Sequence, residues 1–347
     1  MPVARECEDV SVPLRMKRVL IAGGGLAGLA LGVGLCRRGV PVELHEAGEY
    51  PRHRVCGEFI SGVEDQTLDE LGVREVLDDA ECLQSAVWSD WRGEIGRMRV
   101  RARGMSRWRL DERLRYLLVA EGGVIHERSR WTEDREGVVW ASGRQRQRSP
   151  WLGLKGHVRD LPMENDLEMF VGSNGYVGLA RIEDGKVNVC GLFRASGRGG
   201  GRGAALLVST IRRGGLEKLA ERLACAAWDE GSVCGVAGFR LGRQAQEGYC
   251  LGDAAQMIPP FTGNGMSMAF ESAALALEPA QSWSEGRLGW DDAVRWAREA
   301  QERKFRRRMG SAQALHAFLT SRWGTGLAVR VARAGVLPYE KLLSWVR

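Results

Sequence analysis

The hydrophobic pattern is clearest near the start of the chain, where a short apolar run changes into a helical repeat. Arg18–Ala22 is dominated by branched apolar residues and is typical of a buried strand. Gly23–Gly28 follows with the spacing GxGxxG and leads into an apolar helical pattern. A second strand, Val42–His45, ends at Glu46, about 20 residues after the glycines. This order of strand, glycines, helix, strand and acid predicts a βαβ unit that binds a dinucleotide.

Each glycine of this loop has its own predicted role. Gly23 allows the tight turn, Gly25 lets the backbone approach a pyrophosphate, and Gly28 lets the helix pack closely on the strand. The start of the helix supplies unpaired N–H groups and a positive dipole end to the phosphates. Glu46 is placed to accept hydrogen bonds from ribose hydroxyls.

Helical repeats and alternation further along the chain predict a mixed fold. Helical patterns cover Thr67–Asp79, Ser106–Ala120, Ala204–Arg213 and Leu216–Ala227. Strand patterns cover Gln84–Arg103 with a turn at Arg92-Gly93, Val124–Glu127, Val138–Ala141, Leu167–Phe170, Gly175–Ile182 and Lys186–Phe193. The last three predict an antiparallel sheet.

A third informative stretch runs from Gly248 to Met266. A strand is predicted to end at Asp253, whose carboxylate can bind ribose or ribityl hydroxyls. Pro259 and Pro260 stiffen the loop that follows. Gly263–Met266 then opens a predicted helix through Ala280, and its N–H groups would stabilise negative charge nearby.

Cys56 lies in a loop that is rich in arginine. Arg52 and Arg54 are close to it in sequence, and they are predicted to lower the pKa of its thiol. The alternative is a half-buried cysteine with a structural role in a glycine turn, which the spacing alone favours.

The eight cysteines are scattered without a CxxC pair. This argues against a disulfide scaffold or a zinc knuckle and favours a reducing cytoplasm. Leu20–Cys36 is uncharged, but it is short for a membrane span and its glycines suit phosphate binding. We therefore expect a soluble cytoplasmic protein without a targeting segment, preceded by a loose leader over Met1–Arg15.

Basic residues are concentrated in the C-terminal part of the chain. Residues 287–347 contain 13 Lys and Arg against 5 Asp and Glu, so this part carries +8 and the remainder −2 of the net +6. No nucleic-acid-binding motif accompanies the charge, so we expect no nucleic-acid partner. Val294–Arg298, Ala312–Leu319 and Leu327–Val346 predict a helical cover, with a weak membrane-surface contact as the alternative.

Taken together, these motifs resemble the flavoprotein superfamily of geranylgeranyl reductases, flavin-dependent halogenases and aromatic-ring hydroxylases. The resemblance covers residues 18–280 and rests on Gly23–Gly28 with Glu46, Arg54–Glu58, Arg109–Leu114, Trp140–Gly143, and Gly252-Asp253 through Gly265-Met266. It implies FAD as cofactor, with Arg109 near it and Asp253 on its sugar-alcohol chain. Cys56-Gly57-Glu58 resembles the geranylgeranyl reductase branch most, which implies a catalytic position for Cys56 near the flavin.

The fold implied by this resemblance is α/β: a Rossmann-like FAD-binding domain of the glutathione-reductase/hydroxylase type, with an inserted antiparallel-sheet substrate domain and C-terminal helices. The expected FAD-binding segments are 16–83, 105–160 and 241–286, the substrate segments 84–104 and 161–240, and the helical region 287–347. The predicted cofactor contacts are Gly23, Gly25, Leu26, Ala27, Gly28, Glu46, Arg54, Arg109, Gly143, Asp253, Pro260, Gly263, Asn264, Gly265 and Met266.

The expected function is that of an FAD-dependent oxidoreductase acting on a hydrophobic small molecule. Cys56-Gly57-Glu58 favours reduction of a double bond, and hydroxylation by a monooxygenase is the close alternative. Ala141–Arg144 lacks the Asp-Gly that helps hydroxylases bind NADPH, so the electron donor is left open between NAD(P)H and another carrier. The halogenase signature Trp-x-Trp-x-Ile-Pro is absent, and Tyr176–Leu179 replaces the Tyr-x-Trp-x-Phe-Pro element of prenyl reductases. A non-catalytic flavin-binding redox partner is the third alternative.

Overall fold

A computed structural model describes residues 16–145, 147–195, 201–244, 246–260 and 263–320. Within these ranges the strands are β1 (Val19–Ala22), β2 (Val42–His45), β3 (Phe59–Ser61), β4 (Glu81–Asp90), β5 (Gly93–Gly104), β6 (Val124–His126), β7 (Val138–Trp140), β8 (Trp151–Arg159), β9 (Leu167–Gly172), β10 (Gly175–Arg181), β11 (Lys186–Arg194), β12 (Ala227–Ala237), β13 (Gly242–Arg243), β14 (Tyr249–Cys250) and β15 (Gln256–Met257). The helices are α1 (Leu26–Arg37), α2 (Asp65–Leu71), α3 (Arg107–Ala120), α4 (Gly203–Arg213), α5 (Glu217–Ala224), α6 (Gly265–Ser284) and α7 (Trp290–Thr320).

Five short strands form a parallel sheet in the order β14-β7-β1-β2-β6. Val19 and Ile21 of β1, like Val42 and Leu44 of β2, point into a core beneath α1, α3 and α6. Helix α1 is buried from Leu26 to Leu35 because it lies between the sheet and two other helices. Its uncharged sequence is therefore that of a core helix.

Eight strands form a second, larger sheet in the order β12-β8-β11-β10-β9-β4-β5-β3. All of its strand pairs are antiparallel except β4 with β9, which is parallel. One face, which we call the back face, packs its branched residues against α4 and α5. The opposite front face contacts the loop after β2, because Asn188 on β11 donates a 3.0 Å hydrogen bond to the carbonyl of Cys56.

The predicted antiparallel strands are present within one or two residues of their predicted ends. The turn in Gln84–Arg103 lies between β4 and β5, where Gly93 has a φ of 127° that favours glycine. The β10–β11 turn places Asp184 and Gly185 at φ of 59° and 66°. This pair of positive values is typical of a two-residue hairpin turn.

One prediction about local structure was wrong, two strands were missed, and two predicted helices are joined into one. The helix predicted over Thr67–Asp79 ends at Leu71, because Gly72 adopts a left-handed φ of 66° that terminates it. The strands β8 and β12 were not predicted. The separate helices over Val294–Arg298 and Ala312–Leu319 are one continuous helix, α7, because Gly310 is tolerated within it.

Some predicted features lie outside the described residues. These are the leader over residues 1–15, most of the loop over 196–203 and the helical pattern over Leu327–Val346. Among the helices that the structure describes, none combines the length and the apolar character needed to cross a bilayer.

Candidate active site

The glycine loop between β1 and α1 contains two glycines that are needed for close packing and one that faces open space. A Cβ atom on Gly23 would lie 2.4 Å from the carbonyl oxygen of Ala141, and one on Gly28 would lie 2.1 Å from the carbonyl oxygen of Gly23. A Cβ atom on Gly25 would meet no atom of the described residues within 4 Å. No described side chain caps the N-terminus of α1 at Gly25. The first turn of α1, with Leu26 and Ala27, therefore faces open space, as the predicted phosphate contact requires.

Glu46 lies directly after β2 and is 4% exposed. Its two carboxylate oxygens accept hydrogen bonds from the backbone N–H of Gly24 at 2.9 Å and of Gly48 at 2.7 Å. Burial raises the pKa of this carboxyl, but Arg54, the Gly48 N–H and Arg52 outweigh burial and hold the pKa below its ordinary value. Glu46 is therefore an anion fixed beside the glycine loop.

Arg54 connects Glu46 to a second buried acid. Its guanidinium lies 3.3 Å from a Glu46 oxygen and donates a 2.9 Å hydrogen bond to Asp111. Asp111 also accepts two hydrogen bonds, of 2.7 and 2.9 Å, from Arg107 one helical turn before it. Arg109 does not join this group, because it pairs instead with Asp79 and Asp184.

The predicted contact of Arg109 with the cofactor stays a prediction. In the structure it is Arg107 that lies in the interior, and the Asp111 carboxylate outweighs burial and raises the pKa of Arg107.

The remaining predicted contacts approach the same edge of the parallel sheet from β7 and β14. Gly143 follows β7 with a φ of 76° and open space beside it. Asp253 follows β14, and burial raises the pKa of its carboxyl despite the charges of Arg144 and Arg107. Helix α6 begins at Gly265, where a Cβ atom would again meet no described atom within 4 Å.

Gly263, Asn264, Gly265 and Met266 therefore lie at a helix start, as predicted, and Pro260 lies just before it. The carboxyl ends of parallel strands form the crevice in which open α/β sheets bind ligands.

A cavity of about 90 Å³ lies between this edge and the front face of the large sheet. Cys56 and Pro260 line it from the side of the predicted cofactor residues, and Cys190 and Tyr176 line it from the sheet. Its lining is predominantly apolar, with Arg144 as the charged residue of the wall. Arg144 is half-buried and makes no hydrogen bond or ion pair with the described residues, and burial lowers its pKa.

The prediction that neighbouring arginines activate Cys56 was wrong. Arg52 and Arg54 direct their guanidinium groups to Glu46 and Asp111 rather than to the thiol. Burial raises the pKa of Cys56, and the nearby Arg107 only partly offsets this effect. Cys56 is therefore a neutral thiol in the cavity wall.

Behind Cys56, a buried polar network links the loop to the large sheet. Glu58, Lys155 and His157 are at most 2% exposed. A Glu58 oxygen lies 3.0 Å from the ammonium of Lys155, and the other lies 2.6 Å from Nε2 of His157. Burial raises the pKa of Glu58, but the His157 hydrogen bond and the Lys155 charge outweigh it and lower the pKa.

His53 connects this network to the surface. Its Nδ1 atom lies 3.1 Å from Nζ of Lys155, and its ring stacks on Trp108 at 4.5 Å. Burial and the positive charges of Lys155 and His157 lower the pKa of His53 to about 4. At neutral pH the ring is therefore uncharged and can accept a hydrogen bond from Lys155.

Reasoning from the sequence missed Arg107, Arg144 and the network partners Lys155 and His157. One signal for the last two was present. In Leu152–Val158 the polar side chains stand two residues apart in an otherwise apolar and glycine-rich strand, which places both on one face. Two ionisable groups on one face of a buried strand indicate a paired polar site.

Comparisons with solved structures agree with this architecture. Pseudomonas aeruginosa PqsL in complex with 2-aminobenzoylacetate is 17% identical, with a TM-score of 0.70 over 92% of this chain and 99% of that one. Klebsiella pneumoniae HpxO complexed with FAD and uric acid is also 17% identical, with a TM-score of 0.75 over 98% and 97%. The flavin-dependent brominase Bmp2 is 16% identical, with a TM-score of 0.71 over 95% and 93%. No protein-family model and no curated protein matches the sequence.

These similarities confirm the predicted fold class. The chain has the α/β fold of these flavoproteins, with its parallel sheet, its large curled sheet and a C-terminal helix. At such low identity the similarity extends to the fold and not to the activity.

Proposed function

We propose that this chain is an FAD-dependent monooxygenase that hydroxylates a small aromatic acid. The observation that carries the proposal is the apolar cavity of about 90 Å³ whose wall contains Arg144, between the predicted cofactor residues and the front face of the large sheet. Reduction of a double bond in a hydrophobic small molecule, in the manner of geranylgeranyl reductases, is the expectation that this geometry disfavours.

The residues at the edge of the parallel sheet fit FAD. The open space beside Gly25 and the uncapped start of α1 suit a pyrophosphate, and Glu46 suits a ribose. Asp253 would bind the ribityl chain, and the start of α6 at Gly265 would stabilise negative charge on the reduced flavin. When bound, FAD would supply the two electrons that reduce O2 so that one oxygen atom enters the substrate.

The size of the cavity favours a single-ring substrate. An engineered apolar cavity of about 150 Å³ binds benzene, whereas pockets for drug-sized ligands measure about 300–1,000 Å³. The cavity of about 90 Å³ is smaller than both, so it favours a single planar ring over a polyprenyl chain. Cys56, as a neutral thiol in the wall, would shape this space rather than act as a nucleophile.

The charge of Arg144 favours an acidic group on the substrate. Arg144 is half-buried and makes no hydrogen bond or ion pair with the described residues, and the Asp253 carboxyl is the nearby acid that acts on it, so an anionic ligand group in the cavity would stabilise its charge further. Ligands bound by similar structures agree with this class, since 2-aminobenzoylacetate contains an aromatic ring and a carboxylate, and uric acid is a planar acid. PqsL is itself described as a probable FAD-dependent monooxygenase.

The test is a single turnover of FAD-loaded, prereduced protein with a panel of single-ring aromatic acids and their methyl esters. The balanced reaction converts one C–H bond, O2, two electrons and two protons into one C–OH group and water. We expect one oxygen atom from ¹⁸O2 in the product, and one O2 consumed for each product formed. NAD(P)H and a reduced electron carrier are compared as donors in a separate assay, which follows reduction of the oxidised flavin without oxygen.

Arg144→Gln is the matched variant, since it keeps a polar side chain that can donate hydrogen bonds and removes its charge. We expect it to raise KM for the acids at least tenfold and to leave the weak binding of the esters unchanged. Product with two added hydrogens, formed without oxygen, would replace the proposal with the reductase. Flavin that is never reduced by any donor would favour the non-catalytic redox partner.

A further inference from the structure

The outer face of the parallel sheet carries a group of side chains that the proposed reaction does not use. Glu43 and His45 stand two residues apart on β2, so both point away from the core that receives Val42 and Leu44. His126 on β6 is the register partner of His45. The three side chains therefore meet on one face, contributed by two adjacent strands.

The distances from the Glu43 carboxylate to the two imidazoles are close to those between the ligand atoms of a metal ion, and the rings of His45 and His126 stack at 4.6 Å. Oε1 of Glu43 lies 3.1 Å from Nε2 of His45 and 3.2 Å from Nε2 of His126. A tetrahedral zinc site with bonds of about 2.0–2.1 Å has its ligand atoms roughly 3.3 Å apart. Among the described residues this is the one group of three histidine, cysteine or carboxylate side chains whose donor atoms all lie within 4.8 Å of one another.

Neighbouring residues fix the ligand atoms. Nδ1 of His45 lies 2.8 Å from the hydroxyl oxygen of Ser129, so Nδ1 can donate its proton there and leave the Nε2 lone pair free for a metal. Arg18 donates a 2.8 Å hydrogen bond to Oε2 of Glu43, so Oε1 is left as a single ligand atom.

We propose that Glu43, His45 and His126 bind one zinc ion, with water as the fourth ligand. The side chains of His45 and Glu43 are 10% and 21% exposed, whereas that of His126 is 44% exposed, so the fourth position faces solvent. The ion cross-links β2 to β6.

The cross-link would lie next to the nucleotide-binding residues. The carbonyl oxygen of His45 accepts a 2.8 Å hydrogen bond from Gly23, and the N–H of Glu46 donates a 2.9 Å hydrogen bond to the carbonyl of His126. Zinc is therefore expected to stabilise the ends of β2 and β6, whose carbonyl groups accept the hydrogen bonds of Gly23 and Glu46.

The experiment uses untagged, FAD-loaded protein that has been freed of metals with a chelator. ZnCl2 is titrated in competition with a chromophoric chelator, and bound zinc is counted after gel filtration. We expect one tight equivalent per chain, and a slower hydrogen exchange of the Val124–His126 amides when zinc is present. Co²⁺ in the same site should show the intense d–d absorption of a tetrahedral complex, at wavelengths beyond the flavin bands.

Glu43→Gln and His126→Gln should each weaken zinc binding at least tenfold, and Ser129→Ala should weaken it about 10- to 100-fold by releasing His45. Glu133→Gln removes a charge from an exposed residue of the neighbouring loop and should change nothing. An equal affinity in wild type and His126→Gln, or an octahedral Co²⁺ spectrum, would show an ordinary hydrogen-bonded surface cluster instead. His126 is half exposed, so its substitution leaves the fold intact and the test valid.

Discussion

Gly25→Val separates cofactor binding from folding. A Cβ atom at this position would meet no described atom within 4 Å, and the residue has a φ of −86°, which any L-amino acid adopts. The free energy of unfolding of the cofactor-free protein should therefore change by less than about 1 kcal/mol. The added methyl groups would occupy the space that a pyrophosphate needs at the start of α1.

The size of the effect follows from the hydrogen bonds that would be lost. If the valine displaces the phosphates from the N–H groups of Leu26 and Ala27, two charge-assisted hydrogen bonds are lost. Each contributes about 1.5–3 kcal/mol. A loss of about 3–6 kcal/mol corresponds to an FAD affinity roughly 10²- to 10⁴-fold weaker.

The assay measures FAD affinity by flavin fluorescence and stability by thermal and urea unfolding of the cofactor-free protein. Gly28→Val is the contrasting variant, because its Cβ atom would lie 2.1 Å from a backbone carbonyl oxygen and should prevent folding. Wild-type FAD affinity in a stable Gly25→Val protein would refute the assignment of the phosphate site.

Four further substitutions and one chemical probe test the rest of the site. Glu46→Gln should weaken FAD by about 1–3 kcal/mol, measured by titration, because a ribose contact loses its charged acceptor. Lys155→Met should lower the free energy of unfolding in urea by about 3–5 kcal/mol, because Glu58 loses a buried partner; adding Glu58→Gln should recover part of the loss. The free energy of unfolding of the wild type should fall as the pH is lowered from 6.5 to about 4, because His53 is protonated in the unfolded chain over this range and stays uncharged in the folded one. In His53→Gln the free energy of unfolding should depend less on pH over the same range. Cys56 should be alkylated far more slowly than the exposed cysteines, measured by mass spectrometry; equal rates would contradict its burial.

The nucleotide-binding half of the fold was predictable because its signal is local. Strand, glycine turn, helix and acid are consecutive in sequence, and the structure places Gly24 and Glu46 next to each other through a short βαβ unit. The same holds for β10 and β11, since a tight turn fixes their register.

The polar interior was not predictable in the same way, because its partners are distant in sequence. Glu58 and His157 form a hydrogen bond although they are 99 residues apart in sequence, and the residues around each of them give no indication of its partner. The thiol of Cys56 shows the same limit, because nearby arginines in the sequence suggested a lowered pKa. Burial and the competing carboxylates of Glu46 and Asp111, which only the fold brings together, reversed the direction.

The way in which the chain alternates between the two sheets has a consequence for how the protein folds. Strand β7 ends at Trp140, and its outer neighbour β14 begins only at Tyr249, after most of the large sheet has been synthesised. Until then the edge of β7 is open, and such an edge can pair with another chain. Contacts of this sequence separation also slow folding. Nascent or truncated chains that end before Tyr249 are thus expected to depend on chaperones and to aggregate without them.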